Sequence, residues 1–288
     1  MFASAVSEAA KFTRAALIST RLHSGRVETG CGSYILLNAD GWVLTAGHAL
    51  QALLKFNDDN PKYQAYVAAR AAIEADHTLP KGKKQKKIRA LGFDPNWISN
   101  VSYLWGPNVT AGLYHVDGLA DLAAVKLDNL NLPPDQQFPR FGNPNTELPQ
   151  GTSLCKLGFP FHEFKTQFDP ASSSFVINDP VNFVRYPLDG ILTRYINLEA
   201  PDKARTVKFV EMSSPGLRGQ SGGPWFDVNG VVWGLQSRTQ HLALGFSPEV
   251  EVNAKKFVEH QFLNAGAAAY VSEIVVFLNQ HGIAFTQA

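Results

Sequence analysis

Ten short, strand-like runs with turn residues between them constrain the fold of this chain more than any other feature of its sequence. The runs are rich in β-branched, aromatic and other apolar residues. They cover residues 32–37, 42–45, 112–116, 122–127, 153–158, 190–198, 208–212, 223–228, 231–236 and 243–247. Because many short strands with turn signals are typical of barrels, the pattern predicts an all-β protein.

A proline- and asparagine-rich stretch divides these runs into two groups. Residues 129–150 contain two proline-centred clusters, which favour turns and interrupt strands. The division predicts two β-barrels, a first over residues 26–130 and a second over 151–288. The chain between them, residues 131–150, is expected to be a linker.

Helices are expected at both ends of the chain and inside the first barrel. Apolar residues at helical spacing predict a helix over residues 2–19, within an N-terminal helical segment of residues 1–25. A second amphipathic pattern predicts a C-terminal helix over 267–279. An insertion at about residues 52–100 has partly helical composition and lengthens the first barrel.

The motif Gly219-Gln220-Ser221-Gly222-Gly223-Pro224 holds a serine between glycines at a tight turn. A serine hydroxyl is a weak nucleophile at neutral pH and needs a base beside it. Glycines leave backbone N–H groups free to stabilise an oxyanion. Such runs also occur in flexible loops, so the motif indicates catalysis only together with a histidine and an acid elsewhere.

A histidine and an acid suited to this role occur earlier in the chain. His48 follows the second strand of a hairpin whose turn contains Asp40-Gly41. Asp121 opens the apolar run 122–127, where a buried carboxylate could orient an imidazole. Singly, each residue has an ordinary structural explanation; His48, Asp121 and Ser221 together predict a catalytic triad.

These segments resemble the His, Asp and Ser boxes of the chymotrypsin-like (trypsin-like) serine proteases, in that family's chain order. Thr45-Ala46-Gly47-His48 is similar to the Thr-Ala-Ala-His box, and Asp121-Leu122-Ala123 to the Asp-Ile-Ala box. Residues 219–224 are similar to the Gly-Asp-Ser-Gly-Gly-Pro box. The resemblance covers about residues 30–250 and implies two Greek-key β-barrels of the chymotrypsin type with the site between them.

The resemblance also implies a serine endopeptidase that cuts protein or peptide substrates through an acyl-enzyme. Ser221 would be the nucleophile, His48 the general base and Asp121 the residue that orients the imidazole. The backbone N–H groups of Gly219 and Ser221 would form the oxyanion hole. Gln220 replaces the aspartate that captures a new N-terminus in digestive members, so activation is expected to order loops instead, as in HtrA-like proteases, although no PDZ-like domain follows.

Two other classes of protein stay open on the sequence. One is a catalytically silent or partner-activated protease-like binding protein, in which the site is present but held closed. The other is an esterase of the α/β-hydrolase type, which the chain order disfavours because those enzymes run Ser, Asp, His. Labelling by a fluorophosphonate separates an active site from a silent one.

The resemblance implies that Pro215, Gly216, Ser237, Arg238 and Thr239 bind the substrate, with the last three along the first specificity pocket. Pro215 stands where trypsins carry the aspartate that binds basic side chains. Cleavage after Lys or Arg is therefore disfavoured. We expect a small or apolar side chain before the cut, with an acidic one allowed through Arg238.

Six positive charges crowd into the nine residues Lys81–Arg89, within the insertion. A solvated loop is the simplest interpretation of such a cluster. The cluster could instead dock an acidic partner or be a site of self-cleavage. The net charge of the whole chain is only +1, which argues against nucleic acid as a partner, since phosphate neutralisation needs a strong basic excess.

The two cysteines, Cys31 and Cys155, contrast with the several disulfides of secreted members of the resembled family. We interpret both as free thiols in a reducing compartment rather than as a single bridge. The first residues lack a signal-peptide pattern, and no run reaches the roughly 20 apolar residues of a membrane span. These features predict a soluble, cytoplasmic protein, and the spacing of its histidines predicts no catalytic metal or other cofactor.

Overall fold

The first half of the chain forms one six-stranded sheet in the computed structural model, which describes residues 1–162, 164–177, 182–252, 255–258 and 260–288. Its strands are β1 (Thr13–Leu22), β2 (Val27–Leu36), β3 (Trp42–Ala46), β4 (Ile98–Leu104), β5 (Thr110–Asp117) and β6 (Leu122–Asp128). They lie in the order β4-β1-β2-β3-β6-β5, and every described pairing is antiparallel. Within the described residues β4 and β5 do not pair, so this sheet curls as an open barrel.

The second half forms a sheet that closes on itself. Its strands and the nearby hairpins are β7 (Arg140–Phe141), β8 (Ser153–Gly158), β9 (Thr166–Asp169), β10 (Ser174–Ile177), β11 (Tyr186–Glu199), β12 (Thr206–Met212), β13 (Pro224–Phe226), β14 (Val231–Ala243), β15 (Glu249–Val252), β16 (Lys255–Val258), β17 (Phe262–Tyr270) and β18 (Thr286–Gln287). The order β13-β8-β11-β12-β17-β14 becomes a ring because β13 also pairs with β14. The hairpins β9–β10 and β15–β16 stand apart from this ring.

Four helices occur in the described part of the chain: α1 (Ala3–Phe12), α2 (Gln51–Ala75), α3 (Lys81–Arg89) and α4 (Val271–Gln280). The architecture confirms the predicted fold class, an all-β protein of the chymotrypsin type with helices at both ends and a helical insertion in the first barrel. None of the helices that the structure describes is long and apolar enough to cross a membrane.

One apolar core runs through both halves without a break. Leu44 and Val125 are buried in the first sheet, and Val210 and Trp225 are buried in the second, all within the same packed cluster. Burial of this kind contributes roughly 25 cal/mol for each Å² of apolar surface removed from water. The two sheets are therefore held against each other by the same effect that holds each of them together.

The helix predicted over residues 2–19 is wrong in its second half. Helix α1 ends at Phe12, and the chain continues as β1, which pairs with β2 on one side and β4 on the other. Leu17 and Leu22 of β1 are buried, so sheet pairing and packing override the helical spacing of the apolar residues.

The predicted C-terminal helix begins four residues later than expected. Residues 267–270 belong to β17, where three consecutive alanines are buried between β12 and β14. Helix α4 starts at Val271. The strand predicted over 243–247 is also wrong beyond its first residue, since β14 ends at Ala243 and the next four residues lie outside any strand.

The insertion consists of α2 and α3, and α2 packs along β4. The carboxylate of Asp59 on α2 is almost fully buried, where it accepts the backbone N–H of Ile98 at 2.9 Å and the ammonium of Lys55 at 2.6 Å. The basic cluster Lys81–Arg89 was expected as a solvated loop, and that expectation is wrong, because these residues form α3. The charged side chains of α3 still face solvent, because none of its residues is buried.

The stretch predicted as a linker contains β7. This strand runs parallel to both β14 and β18, and Phe141 is fully buried there. The short strand ties the crossing chain to the second sheet. Part of the stretch expected as a linker therefore belongs to the second sheet.

Candidate active site

His48 and Asp121 meet because the two strands that carry them are paired. His48 lies in the 3₁₀ turn Gly47–Leu50 that follows β3, and Asp121 directly precedes β6. Since Ala46 is opposite Leu122 in the β3–β6 ladder, the residues just beyond both strand ends are neighbours. The two carboxylate oxygens of Asp121 lie 2.9 and 3.1 Å from His48 Nδ1, and Oδ1 also accepts the backbone N–H of His48 at 2.8 Å.

The Asp121 carboxylate is enclosed and held by several donors. Its side chain is only 13% exposed, and its φ of +54° is one that aspartate tolerates better than most residues. Ser237 Oγ donates to Oδ2 at 2.5 Å. Burial by itself raises the pKa of Asp121, but the hydrogen bonds from His48 and Ser237 outweigh that effect and hold the pKa below its ordinary value.

This arrangement determines which nitrogen of His48 is basic. An ionised carboxylate at Nδ1 favours the tautomer that carries its proton on Nδ1, which leaves Nε2 with a free lone pair. The His48 side chain is 45% exposed, so Nε2 is accessible to an incoming group. The pair can therefore accept a proton from a hydroxyl that approaches the open face of the ring.

The backbone around Ser221 is hydrogen-bonded to strands of both halves. Ser221 C=O accepts the N–H of Ser33 on β2 at 2.8 Å, and Gly222 N–H donates to Gln236 on β14 at 2.8 Å. A Cβ on Gly222 would lie 2.1 Å from the carbonyl oxygen of Ser33, and one on Gly223 would lie 2.0 Å from that of Leu157. The glycines after the serine are thus needed because neighbouring strands approach the loop too closely for any side chain.

Ser237 connects the serine to the acid. Ser221 Oγ donates to the carbonyl oxygen of Ser237 at 3.4 Å, while the hydroxyl of Ser237 donates to Asp121. Within the residues that the structure describes, no hydrogen bond joins Ser221 directly to His48. The four residues form one cluster, in which Ser221 is linked to the His48–Asp121 pair through Ser237.

Gly219 adopts a conformation that only glycine accepts readily. Its φ is +98°, and a Cβ there would lie 2.3 Å from the carbonyl oxygen of Phe159. The carbonyl oxygen of Gly219 accepts Ser33 Oγ at 2.7 Å and Phe159 N–H at 3.3 Å. With that carbonyl turned inward, the N–H groups of Gly219 and Ser221 donate to no acceptor in the described part of the protein and are available to an anion.

Gln220 is fully buried and braces the same loop from within. Its Oε1 accepts Leu217 N–H at 2.9 Å, its Nε2 donates to the carbonyl oxygen of Tyr186 at 3.3 Å, and its own N–H donates to Leu217 C=O at 2.9 Å. The sequence indicated only that Gln220 replaces the aspartate of digestive members. Its hydrogen bonds within the loop and to Tyr186 were not predicted, because Tyr186 is far away in the chain.

An open pocket of about 530 Å³ lies beside Ser221. The predicted substrate-binding residues Pro215, Gly216, Ser237, Arg238 and Thr239 all line it. Ser237 contributes mainly its backbone, since its hydroxyl is directed to Asp121. Thr239 Oγ1 donates to Gly216 C=O at 2.5 Å and so ties the two walls together.

Five further residues that line the pocket were missed by the sequence analysis: Leu217, Arg218, Gln236, His241 and Asn264. His241 Nδ1 lies 2.6 Å from Asn264 Oδ1 across the β14–β17 pair. Arg218 was detectable in principle, because it lies three residues before Ser221. His241 and Asn264 become neighbours only through strand pairing, so no local pattern indicates them.

Neither cysteine is placed to compete with Ser221 as a nucleophile. Both are free thiols, as predicted, and burial raises the pKa of Cys31 to about 11 and that of Cys155 to about 12. Thiols with such pKa values stay protonated and unreactive at neutral pH. Among the described residues, no group of three or more His, Cys, Asp or Glu side chains is arranged to hold a metal ion.

Comparison with known proteins identifies the family of the chain and structures of similar fold. A family model described as the trypsin-like peptidase domain matches residues 32–235. No curated protein sequence matches the chain. The active form of the Rv3671c protease from M. tuberculosis is similar in structure, with a TM-score of 0.51 and 14% identity over 99% of this chain and 86% of that one.

A variant of the HtrA-type protease AlgW with a decapeptide is similar to the same degree. Its TM-score is 0.51 and its identity 15%, over 98% of this chain and 68% of that one. At such low identities, the two structures establish a shared fold. The family model matches most of the sequence, from β2 to β14, and the chain therefore belongs to the trypsin-like peptidase domain family.

Proposed function

We propose that this protein is a serine endopeptidase in which Ser221, His48 and Asp121 form the catalytic triad. The observation that carries the proposal is the continuous cluster in which Asp121 holds His48 Nδ1 while Ser237 contacts both Asp121 and Ser221. Family membership supports a serine protease, and the cluster supports these three residues as its reactive groups. The AlgW variant of similar fold holds a decapeptide, which supports peptides as substrates.

Acylation begins when the Ser221 side chain rotates toward His48. Nε2 takes the hydroxyl proton while Oγ bonds to the carbonyl carbon of the scissile peptide. The electron pair of the C=O bond moves onto oxygen, and the N–H groups of Gly219 and Ser221 stabilise the negative charge. The imidazolium then gives its proton to the amide nitrogen as the C–N bond breaks, which leaves an ester on Ser221.

Deacylation repeats these transfers with water. His48 removes a proton from a water molecule whose oxygen bonds to the ester carbon, and the same two N–H groups hold the second oxyanion. Ser221 Oγ then leaves with the proton from His48, and the acid product is released. Asp121 stays ionised throughout, because its hydrogen bonds keep its pKa low, and it stabilises the imidazolium in both halves of the reaction.

Labelling with a fluorophosphonate tests the proposal directly, since this reagent phosphonylates an activated serine. We expect labelling of the wild type, none in Ser221→Ala and a loss of at least about a thousandfold in rate in His48→Ala. Ser7→Ala, which changes an exposed serine on α1, is the control and should label as the wild type does. A folded wild type that resists the reagent under all conditions contradicts the proposal and favours a binding protein.

A partner-activated protease is the second candidate, and one observation favours it. The Ser221 hydroxyl is directed to Ser237 C=O rather than to His48, so the enzyme at rest lacks one contact that the reaction needs. Substrate-induced or partner-induced ordering could supply it. A labelling rate that rises on addition of a substrate peptide or a binding partner would identify this class.

The basic helix α3 is the surface on which we propose that an acidic partner docks. Its lysines carry no ion pair within the described residues, and the one side-chain hydrogen bond found there runs from Lys84 to the Glu74 carbonyl. Polyglutamate is a suitable probe. Binding that is lost in the triple variant Lys83→Gln, Lys86→Gln, Lys87→Gln supports the site, and binding that persists in this variant rejects it.

A further inference from the structure

A lysine without a carboxylate partner is buried directly behind the substrate pocket. Lys156 on β8 has no exposed surface, and its ammonium makes a single hydrogen bond, to the carbonyl oxygen of Ser214 at 2.8 Å. The ring of Trp225 lies 5.3 Å from Nζ. Within the described residues no acidic side chain pairs with this ammonium, although burying an unpaired cation is one of the most unfavourable arrangements in a protein.

The Lys156 ammonium lies close to the backbone that forms one wall of the pocket. Ser214 immediately precedes Pro215 and Gly216, which line the pocket. A Cβ built on Gly266 would lie 3.0 Å from Lys156 Nζ, 2.9 Å from Ser214 O and 3.1 Å from Gly216 N. A side chain at 266 would therefore meet the ammonium and the backbone of Ser214 and Gly216 together, which places the charge next to the segment that lines the pocket.

The front of the pocket is also positive. Arg218 and Arg238 line it, and neither forms an ion pair with a described residue. The Arg238 guanidinium lies 4.7 Å from the centre of the Phe209 ring, and its Nε is 3.4 Å from Ser237 Oγ. His241 adds a third basic side chain, and no acid lines the pocket within the described residues.

Building on the proposed peptidase activity, we propose that this pocket receives the side chain before the scissile bond and selects a carboxylate, with Lys156 as the main specificity-determining residue. A carboxylate that enters the pocket supplies the missing counter-charge in a site screened from water, where opposite charges attract strongly. Its own desolvation is offset by Lys156 behind the wall and by Arg218 at the entrance. A glutamine side chain has the same shape as glutamate but gains none of this attraction.

Selection of a carboxylate is a narrower preference than the one expected from the sequence for the side chain before the cut. A small or apolar side chain before the cut, expected there, would leave the Lys156 charge uncompensated. The acidic option was attributed to Arg238, an exposed residue whose charge is screened by water. In its protonated form Lys156 is the more effective group, because burial keeps water from screening its charge.

The test uses two peptides that differ only in glutamate or glutamine before the cut. We expect kcat/KM to favour glutamate by at least about thirtyfold, and Lys156→Met to reduce that ratio to about threefold or less. Cleavage of an alanine peptide is measured on both enzymes, so that a general loss of activity in Lys156→Met is divided out of the comparison. Lys208→Met, which removes a lysine paired with Glu147 on the outer surface, is the matched control and should keep the wild-type ratio.

A binding measurement separates failure of the specificity from failure of the peptidase. Acetylated peptides that end in glutamate or glutamine, the products of such cleavage, are titrated onto the Ser221→Ala variant, which needs no catalysis. Tighter binding of the glutamate peptide, lost on adding Lys156→Met, supports the pocket even if fluorophosphonate labelling fails. Equal binding of the glutamate and glutamine peptides overturns the inference. Equal cleavage of the two peptide substrates by a wild type that the fluorophosphonate labels also overturns it. Both comparisons can be made without Lys156→Met, so they suffice if that variant does not fold.

Discussion

Gln220 Oε1 accepts the backbone N–H of Leu217 at 2.9 Å, so a fully buried side chain closes the loop that presents Gly219. The same side chain reaches Tyr186 C=O on β11. The loop is thus ordered by an internal amide instead of by a newly formed chain end.

Gln220→Ala removes this brace and tests its role. The loss leaves Leu217 N–H and Tyr186 C=O without their partner, and we expect the free energy of unfolding to fall by about 1–3 kcal/mol. The fluorophosphonate labelling rate should fall by more than tenfold, because the Gly219 N–H loses its fixed direction. Urea unfolding and labelling kinetics measure the two effects, with Gln85→Ala on the exposed face of α3 as control. An unchanged labelling rate shows that the loop is ordered by other contacts.

Asp121→Asn tests the orientation of the imidazole. Asparagine tolerates a φ of +54° and fills the same space, so the fold should be retained. Its amide group can present N–H to Nδ1, which favours the wrong tautomer of His48, and we expect kcat to fall by about 10⁴-fold. Peptide hydrolysis and thermal unfolding measured on the same preparation check both statements. A decrease of less than tenfold means that Asp121 does not control the tautomer.

Ser237→Ala tests the hydrogen bond that Asp121 receives at Oδ2. Since the pKa of Asp121 is lower in the folded than in the unfolded protein, its ionised form contributes stability above its ordinary pKa, and this is lost as the pH falls through the folded value. Removing one donor raises the folded pKa, so acid unfolding of Ser237→Ala should begin at a higher pH. Circular dichroism between pH 6 and pH 2 follows this shift. Identical acid transitions indicate that His48 alone sets the pKa.

Lys156→Met tests how burial affects the lysine. Burial lowers the pKa of Lys156 from 10.5 to about 7, so between these values the folded state binds fewer protons than the unfolded one and stability rises with pH. Its neighbour Cys155, whose pKa is about 12, stays neutral in that window. Lys156→Met should abolish this rise and stabilise the protein at pH 7 by about 1–4 kcal/mol. Urea unfolding at several pH values measures the slope, and an unchanged slope assigns the titration to another group.

The proposed triad was accessible from the sequence because each of its members lies within a short motif. His48 and Asp121 follow from the hairpin turn and the apolar run 122–127, and the β3–β6 ladder then brings them together. The overall all-β class followed from the same runs. Short sequence motifs were sufficient to predict contacts between residues that lie at the ends of neighbouring strands.

Local pattern failed where distant pairing decides the structure. Residues 13–19 have helical spacing of apolar groups, yet the ladders to β2 and β4 make them a strand. Lys156 was visible as a lone charge in the apolar run 153–158, but its contact with Ser214 depends on the closure of the second barrel. Gln220 and His241 likewise acquire their partners from strands that are far away in the chain.

The serine loop is bonded to the opposite half of the molecule. Ser33 in the first sheet donates its backbone N–H to Ser221 C=O and its hydroxyl to Gly219 C=O, and Asp121 receives Ser237 from the other direction. Each half therefore supplies groups that the other needs to hold its own reactive residues in place. A chain cut within residues 129–139 and separated into two fragments would leave His48 and Asp121 in one fragment and Ser221 in the other, and the cluster could form again only when the fragments reassociate.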